Sequence, residues 1–576
     1  MKFSQILFLG SLIGAQSASM SEVHAKDLYV SQRTPQASDM NPGTAQRPFL
    51  TIGRAVREMS PGDRILIEEG VYREALDFRK SRLSTTDPTA RPSSVQAVKN
   101  ASVTISAAEV VENWEALGDG LYVRRGWNTP SQVVAFDGRL MMQVGGEVFG
   151  GVPGNTRNPL SNLHSKQGGI WPGRRAGARE DLPEGAFFYD SASGNLYVRV
   201  QKDVVLTAHR IEASVRPFLV IGERLMNLSI SGLNFEYSNY TYAGRNGAIA
   251  LYGQRIAVSN IAVRYSDGIC LNITGDDNVV ENSRFEHCGQ LGMAARGRRV
   301  RIEGNVFAHN NWRGFNKSWE AGGAKFVGDG GLQDSQVIGN TFAFNVGDGL
   351  WFDWGNRNLS VINNVAAFNT GIGIHYEASF DALIAHNTSY GNGQRGIYLP
   401  QSSGSVVTRN LVIANGSQGI VVIDEQRRDA KLDLEPKSNS VVQNIIGWNQ
   451  GGELYLPSPV GSNRSASNVY IVDGRPVILA SGWPSSARPP SRSLAAWRAA
   501  AKMDLDSVVL SDPLPKSIHD ELTGRRLMSL RPLIIEGVPA LPGFSQGAEY
   551  GRFVLPPGVA VARFGAIQES RNAARK

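Results

Sequence analysis

Two cysteines in 576 residues exclude a disulfide framework, and a chain this long has enough interior to do without one. Cys270 lies in a repeat strand and Cys288 in the turn that follows. They are not at equivalent positions of stacked units, so free thiols are expected. No stretch reaches the roughly 18 consecutive apolar residues that a membrane span requires. The net charge is +7 and the pI about 9.3, yet no basic run or Lys-rich helix gathers that charge. Nucleic acid is therefore a poor partner, and an acidic polysaccharide or an anionic envelope a better one. An Asp-rich calcium cluster is also missing. Lys2, the apolar stretch 6–15 and the small residues around Ala25 form the three parts of a secretory signal, residues 1–25. A soluble, monomeric protein, secreted or periplasmic, is expected.

What the chain has in place of these is a phrase. It reads Gly-Asn-Thr-Phe-Ala-Phe-Asn at 339–345, Asn-Asn-Val-Ala-Ala-Phe-Asn at 363–369, His-Asn-Thr-Ser-Tyr-Gly-Asn at 386–392 and Arg-Asn-Leu-Val-Ile-Ala-Asn at 409–415. Its anchors Asn260, Asn282, Asn305, Asn340, Asn364, Asn387, Asn410 and Asn444 lie 22, 23, 35, 24, 23, 23 and 34 residues apart. A period of roughly 20–30 residues means a solenoid whose units bury their apolar faces only by stacking. With β-branched residues, Gly and Asn at this period, the expected fold is all-β, a right-handed parallel β-helix. The two long intervals are coils carrying loops.

Five segments follow. After the signal, residues 26–100 form an amino-terminal cap and the first coils, with an amphipathic helix at Thr51–Met59. Residues 101–215 lose the repeat and read as an inserted small β-sandwich or barrel, with strands at Gln132–Phe136, Ala186–Tyr189 and Leu196–Val200. Coils run over 216–472. Residues 473–576 are a linker, a short helix at Ser493–Lys502 and an irregular tail. The motif Asn41–Thr44, Pro48-Phe49, Thr51-Ile52, Ala55, Pro61–Asp63 and Gly70–Tyr72 resembles the cap of secreted pectate-lyase-like β-helix proteins.

Aligned on their opening glycines, four strands read Gly349-Leu-Trp-Phe-Asp353, Gly373-Ile-His-Tyr-Glu377, Gly396-Ile-Tyr-Leu-Pro400 and Gly419-Ile-Val-Val-Ile423. Alternation sends Leu350, Ile374, Ile397 and Ile420 inward, with Phe352, Tyr376, Leu399 and Val422. It sends Trp351, His375 and Tyr398 outward in one column and Asp353, Glu377 and Pro400 in the next. Gly323 as an opening residue adds Lys325 to the first column. A lone outward carboxylate is usually just solvated. Here two fall at one position of consecutive coils, where like charges repel, beside a flat aromatic wall. Close carboxyls do not both ionise easily, and a protonated acid beside a carboxylate is the pair that cleaves glycosidic bonds.

The segments Trp319-Glu320-Ala-Gly-Gly-Ala-Lys325-Phe, Gly349–Asp353 and Gly373–Glu377 resemble motifs of secreted β-helix glycoside hydrolases, nearest the β-xylosidase type with an inserted β-sandwich. The resemblance implies Asp353 as nucleophile, Glu377 as acid/base and Glu320 as a supporting or alternative acid, with no cofactor. Lys325, Trp351, His375, Tyr398, Trp319, Arg357 and Arg395 are the expected substrate-binding residues, and a poly- or oligosaccharide the partner. A polysaccharide lyase is the alternative, with Lys325, Arg357 or Arg395 abstracting a proton and calcium neutralising a uronate. Ser318 stands where the chondroitinase B and alginate lyase family has a second acidic ligand, which weighs against it. A binding-only β-helix is the third reading.

Overall fold

The computed structural model describes residues 25–83, 87–144, 174–175, 177–239, 246–328, 330–457, 462–514 and 516–524. The expected signal lies outside these residues, as does the chain beyond 524. Three parallel sheets of 13 strands each run the length of the solenoid. One coil comprises the strand Asp348–Asp353, the strand Ser360–Ile362 and the strand Val365–Ala367. The next coil repeats them in register at Ile374–Glu377, Leu383–Ala385 and Thr388–Tyr390. Right-handed parallel β-helix is the fold.

The phrase encodes a corner. Asn305, Asn340, Asn364, Asn387, Asn410 and Asn444 stack between the second and third strands of their coils, each amide nitrogen donating to the next amide oxygen at 3.0 Å. A parallel ladder through Asn345, Asn369, Asn392, Asn415 and Asn449 turns the chain into the next coil. This second ladder explains the opening glycines. A Cβ on Gly349 would lie 2.7 Å from the Asn369 amide nitrogen and 2.8 Å from the Gly373 carbonyl. Two anchors are out of phase: Asn260 and Asn282 sit one residue early, in the left-handed region at φ 52° and 50°. Ser283 holds the ladder position instead, donating its backbone N–H to the Asn305 side chain at 3.0 Å. Asn tolerates both places, one for its left-handed backbone and the other for its amide.

Cys270 and Cys288 are bonded, with Cα atoms 5.5 Å apart, contrary to the expected free thiols. The two cysteines are not at stacked, equivalent positions of neighbouring coils. The bridge instead ties the two ends of one coil, since 18 residues carry the chain almost fully round to the corner it left.

The strand Val103–Ser106 still pairs inside the solenoid. Beyond it the chain builds a four-stranded antiparallel sheet, including Val134–Phe136 and Ile211–Ser214, and a six-stranded sheet around the hairpin Ala186–Asp190 and Asn195–Arg199. Their own apolar cluster contains Phe187, Leu196 and Val198. Fully buried Arg313 from a solenoid corner clamps this region, donating to the Gln143 side chain at 2.8 Å and the Gln132 carbonyl at 2.6 Å, and pairing with buried Asp267. Burial pushes the Asp267 carboxyl above its usual range, against the pull of Arg313.

Both expected helices form, at Ile52–Glu58 capped by Thr51 and at Leu494–Ala501 capped by Ser493. The tail is less irregular than its composition implies. Val508–Ser511 pairs with Val469–Val472 and adds a strand to the last coil, because its β-branched residues meet an otherwise unpaired edge. Glu453 lies near that end, 3% exposed, with an Asn449 amide 3.4 Å away. Burial pushes its carboxyl up to about 8. The folded state therefore keeps a proton that the unfolded chain releases near its ordinary pKa. The associated stability is complete at acid pH and is lost as pH rises through about 8. Glu453→Gln is expected to remove this slope and to gain a few kcal/mol at pH 9, read from urea midpoints across pH.

Candidate functional site

The site lies on the sheet that carries the opening glycines. Successive strands place Asn272, Ala294, Lys325, Trp351, His375 and Tyr398 in one column. Tyr252, Thr274 and Arg296 are in register in the neighbouring column, and farther along that face Asp353 is the register partner of Glu377. Inward positions are sealed: Leu350, Phe352, Ile374 and Tyr376 are fully buried. The outward columns face away from the core but are not bathed in water. Loops cover most of them, and Trp351, His375 and Tyr398 are buried.

Lys325, only 4% exposed, organises the first part. Its ammonium is 3.0 Å from the Asp353 carboxylate, 3.4 Å above the centre of the Trp351 ring, and donates to the Trp319 carbonyl. The loop bearing Trp319 and Glu320 is fastened by Gln290, which donates to the Glu320 carbonyl at 2.7 Å. A groove of about 330 Å³ opens beside this group. Glu320, Asp353, Lys325, Trp319, Arg296 and Tyr252 are among its walls. Among the described residues no cation pairs with the Glu320 carboxylate, so the groove presents one carboxyl held by a lysine and one without a cation.

Glu377 is held differently. Its Oε1 accepts from Arg427 at 2.6 Å and its Oε2 from the Trp351 indole at 2.8 Å. His375 stacks on Trp351 with ring centres 4.8 Å apart, binds Asp348 at 2.8 Å through Nδ1 and faces Glu377 at 3.4 Å through Nε2. The like-charge repulsion expected between Asp353 and Glu377 is thus offset by a separate cation on each. Both Glu377 oxygens accept hydrogen bonds, which suits an acceptor that braces the wall. Glu377 is also not among the groove's walls.

Tyr398 continues the stack, 5.1 Å from His375, and its hydroxyl donates to Glu425. Burial, with the Glu425 carboxylate second, holds the Tyr398 phenol well above its usual range. Arg395 lies over Tyr398 at 4.2 Å. Arg357 is apart from all of these. It sits at another corner, half exposed, paired with Asp381 at 2.7 Å and lying over Phe380. Its expected place among the binding residues is not where the fold puts it.

Sequence reasoning missed Arg427 and Asp348, and with them Tyr252, Asn272, Thr274 and Arg296. The last four follow from the same alternation carried back over the three preceding coils; Gly292 still opens the first of these, but Cys270 and Ala248 stand at that position in the other two. Arg427 carries no periodic signal, because it comes from the loop between two coils.

Residues 317–450 match the family described as periplasmic copper-binding protein (NosD), and residues 220–366 match the right handed beta helix region. Copper binding is what that description says of that family; among the described residues no three His, Cys, Asp or Glu side chains are placed to share a metal ion. Over 83 residues the chain is 37% identical to the uncharacterized protein YwoF of Bacillus subtilis (strain 168), a stretch covering 14% of this chain and 16% of that one. The solved complex of XylC with xylose superposes with a TM-score of 0.56 at 14% identity, covering 85% of this chain and 87% of the other. A structure described as a glycoside hydrolase gives 0.47 at 12% identity, covering 84% and 99%. The first of these is a likeness of fold. This chain has the right-handed parallel β-helix fold, and residues 220–366 match the family model of that region.

Proposed function

We propose that the protein is a carbohydrate-active enzyme of the cell exterior or periplasm that hydrolyses glycosidic bonds, with Asp353 as nucleophile and Glu320 as acid/base. The observation that carries this reading is one groove walled by two carboxyls in different states of pairing. Lys325 pairs with Asp353 at 3.0 Å and fixes the orientation of its carboxylate for attack. Glu320 has no competing cation and faces the same space, where a leaving oxygen can take its proton. Trp319 and Tyr252 supply the flat and hydrogen-bonding surfaces a sugar ring requires. Glu377 then positions: it holds Trp351, and through it the face against which Lys325 rests.

Incubation with a panel of neutral and acidic polysaccharides is expected to release new reducing ends without the ultraviolet absorbance of an unsaturated uronate. An absorbance rise would instead select elimination, for which Lys325 and Arg296 are the cations in the groove. Glu320→Gln is expected to slow substrates with poor leaving groups about 100-fold or more, while activated aryl glycosides, which depart unprotonated, lose far less. The same selective loss in Glu377→Gln but not in Glu320→Gln would reverse the assignment.

A further inference from the structure

The aromatic wall does not stop at the groove. Lys325, Trp351, His375, Tyr398, Arg395 and Trp483 form one continuous stack, each in contact with the next. The spacings are 3.4, 4.8, 5.1, 4.2 and 5.0 Å between ring centres or between a cationic group and a ring centre. The far end differs from the near end. Lys325 is buried and paired with Asp353. Among the described residues Arg395 has no carboxylate partner, and its Nε is a buried donor without an acceptor. It is clasped between the Tyr398 and Trp483 rings. Trp483, braced edge-on by Tyr455 at 5.8 Å, is 39% exposed. A guanidinium gripped by two rings keeps its in-plane donors free, and the planar fork matches a carboxylate. An exposed indole beside it offers a stacking face for a sugar ring. Arg395 and Tyr398 lie two coils from Asp353, about 10 Å along the face at the spacing of adjacent strands, so only a chain of linked sugars reaches both.

We propose that Arg395 and Trp483 form a distal subsite for a carboxylate-bearing sugar, so that the preferred ligand is an anionic polysaccharide lying along the strand stack. This rests on the reading of Asp353 as part of a saccharide-cleaving groove, but its test reads binding and not turnover. The basic balance of the chain, +7, is in keeping with such a polymer.

The experiment uses the full chain carrying Asp353→Asn, so that bound chains persist. Calorimetry compares hexamers derived from polygalacturonate, glucuronoxylan and alginate with their carboxyl-reduced counterparts. At least one acidic hexamer is expected to bind ten-fold or more tighter than its reduced form, with the preference fading at high salt. Arg395→Gln is expected to erase that preference, acidic and reduced hexamers then binding alike. Trp483→Leu is expected to weaken both forms. The comparison in the Asp353→Asn protein alone needs no change at the subsite, so misfolding of the further variants does not blunt it. Equal affinity for acidic and reduced forms across all three pairs overturns the proposal, as does a preference that survives Arg395→Gln. Failure of the hydrolase reading appears separately, as absent turnover by the wild-type chain.

Discussion

Asp353→Asn is expected to reduce turnover by about 1,000-fold or more, with little change in fold or in substrate affinity. The carboxylate faces Lys325 at 3.0 Å at the mouth of the groove, outside the sealed interior. Asn has nearly the same volume and can still accept from the ammonium. It cannot form the glycosyl ester on which a retaining mechanism depends, so the loss falls on the chemical step. In kinetic terms kcat falls while KM moves little. Lys325→Ala tests the same assembly from the other side. It removes the cation over Trp351 and the fastening of the Trp319 carbonyl, so the expected loss includes weaker binding and a lower rate, but smaller than that of Asp353→Asn. Full turnover by Asp353→Asn together with abolition in Lys325→Ala would mean that proton abstraction, not nucleophilic attack, drives the reaction. Steady-state kinetics on one purified substrate, with near-ultraviolet spectra to check the fold, decide between them.

The second large effect is structural. Asn387→Leu is expected to cost about 3–6 kcal/mol, enough to disrupt the coils around it. The Asn387 amide donates to the Asn410 side chain at 3.0 Å and to the Val361 carbonyl at 2.8 Å, and accepts from the Asn364 backbone at 2.9 Å and its amide at 3.0 Å. Leu fills the volume but strands the Asn364 backbone N–H in a buried corner and withdraws one partner from each of the others. Asn387→Ser is expected to cost much less, because Ser283 already serves at the same position of another coil. A thermal midpoint for Asn387→Leu equal to the wild type would show that the ladder does not hold the solenoid together. A solenoid is stabilised by nearest-neighbour stacking, so the defect should be local first. Hydrogen exchange is expected to rise in strands 360–390 before the cap.

How much was legible depended on whether a feature repeats. The interior ladders through Leu350 and Phe352, the outward columns and the place of Lys325 opposite Trp351 all follow from period-two alternation on coils of nearly constant length. One strand, once aligned, determines its neighbours. The pairing of Cys270 with Cys288 is hidden for a related reason: the repeat relates one coil to the next, and the bond closes a single coil. Asn260 and Asn282 were misplaced by one residue because two adjacent positions at that corner both favour asparagine, and the pattern does not say which is occupied.

The sequence by itself determined the solenoid, the face that carries the candidate site and the order of residues along it, since backbone pairing in a parallel stack leaves a one-residue slip no apolar interior to land in. Tertiary structure decided which of those residues share a groove. Glu320 enters it from a loop anchored by Gln290, Glu377 is withdrawn from it by Arg427 from a segment 50 residues away, and Arg395 meets Trp483 only after three further coils have been wound. Loops have no period to read, and a side chain's charge state and exposure are fixed by whatever those loops bring against it.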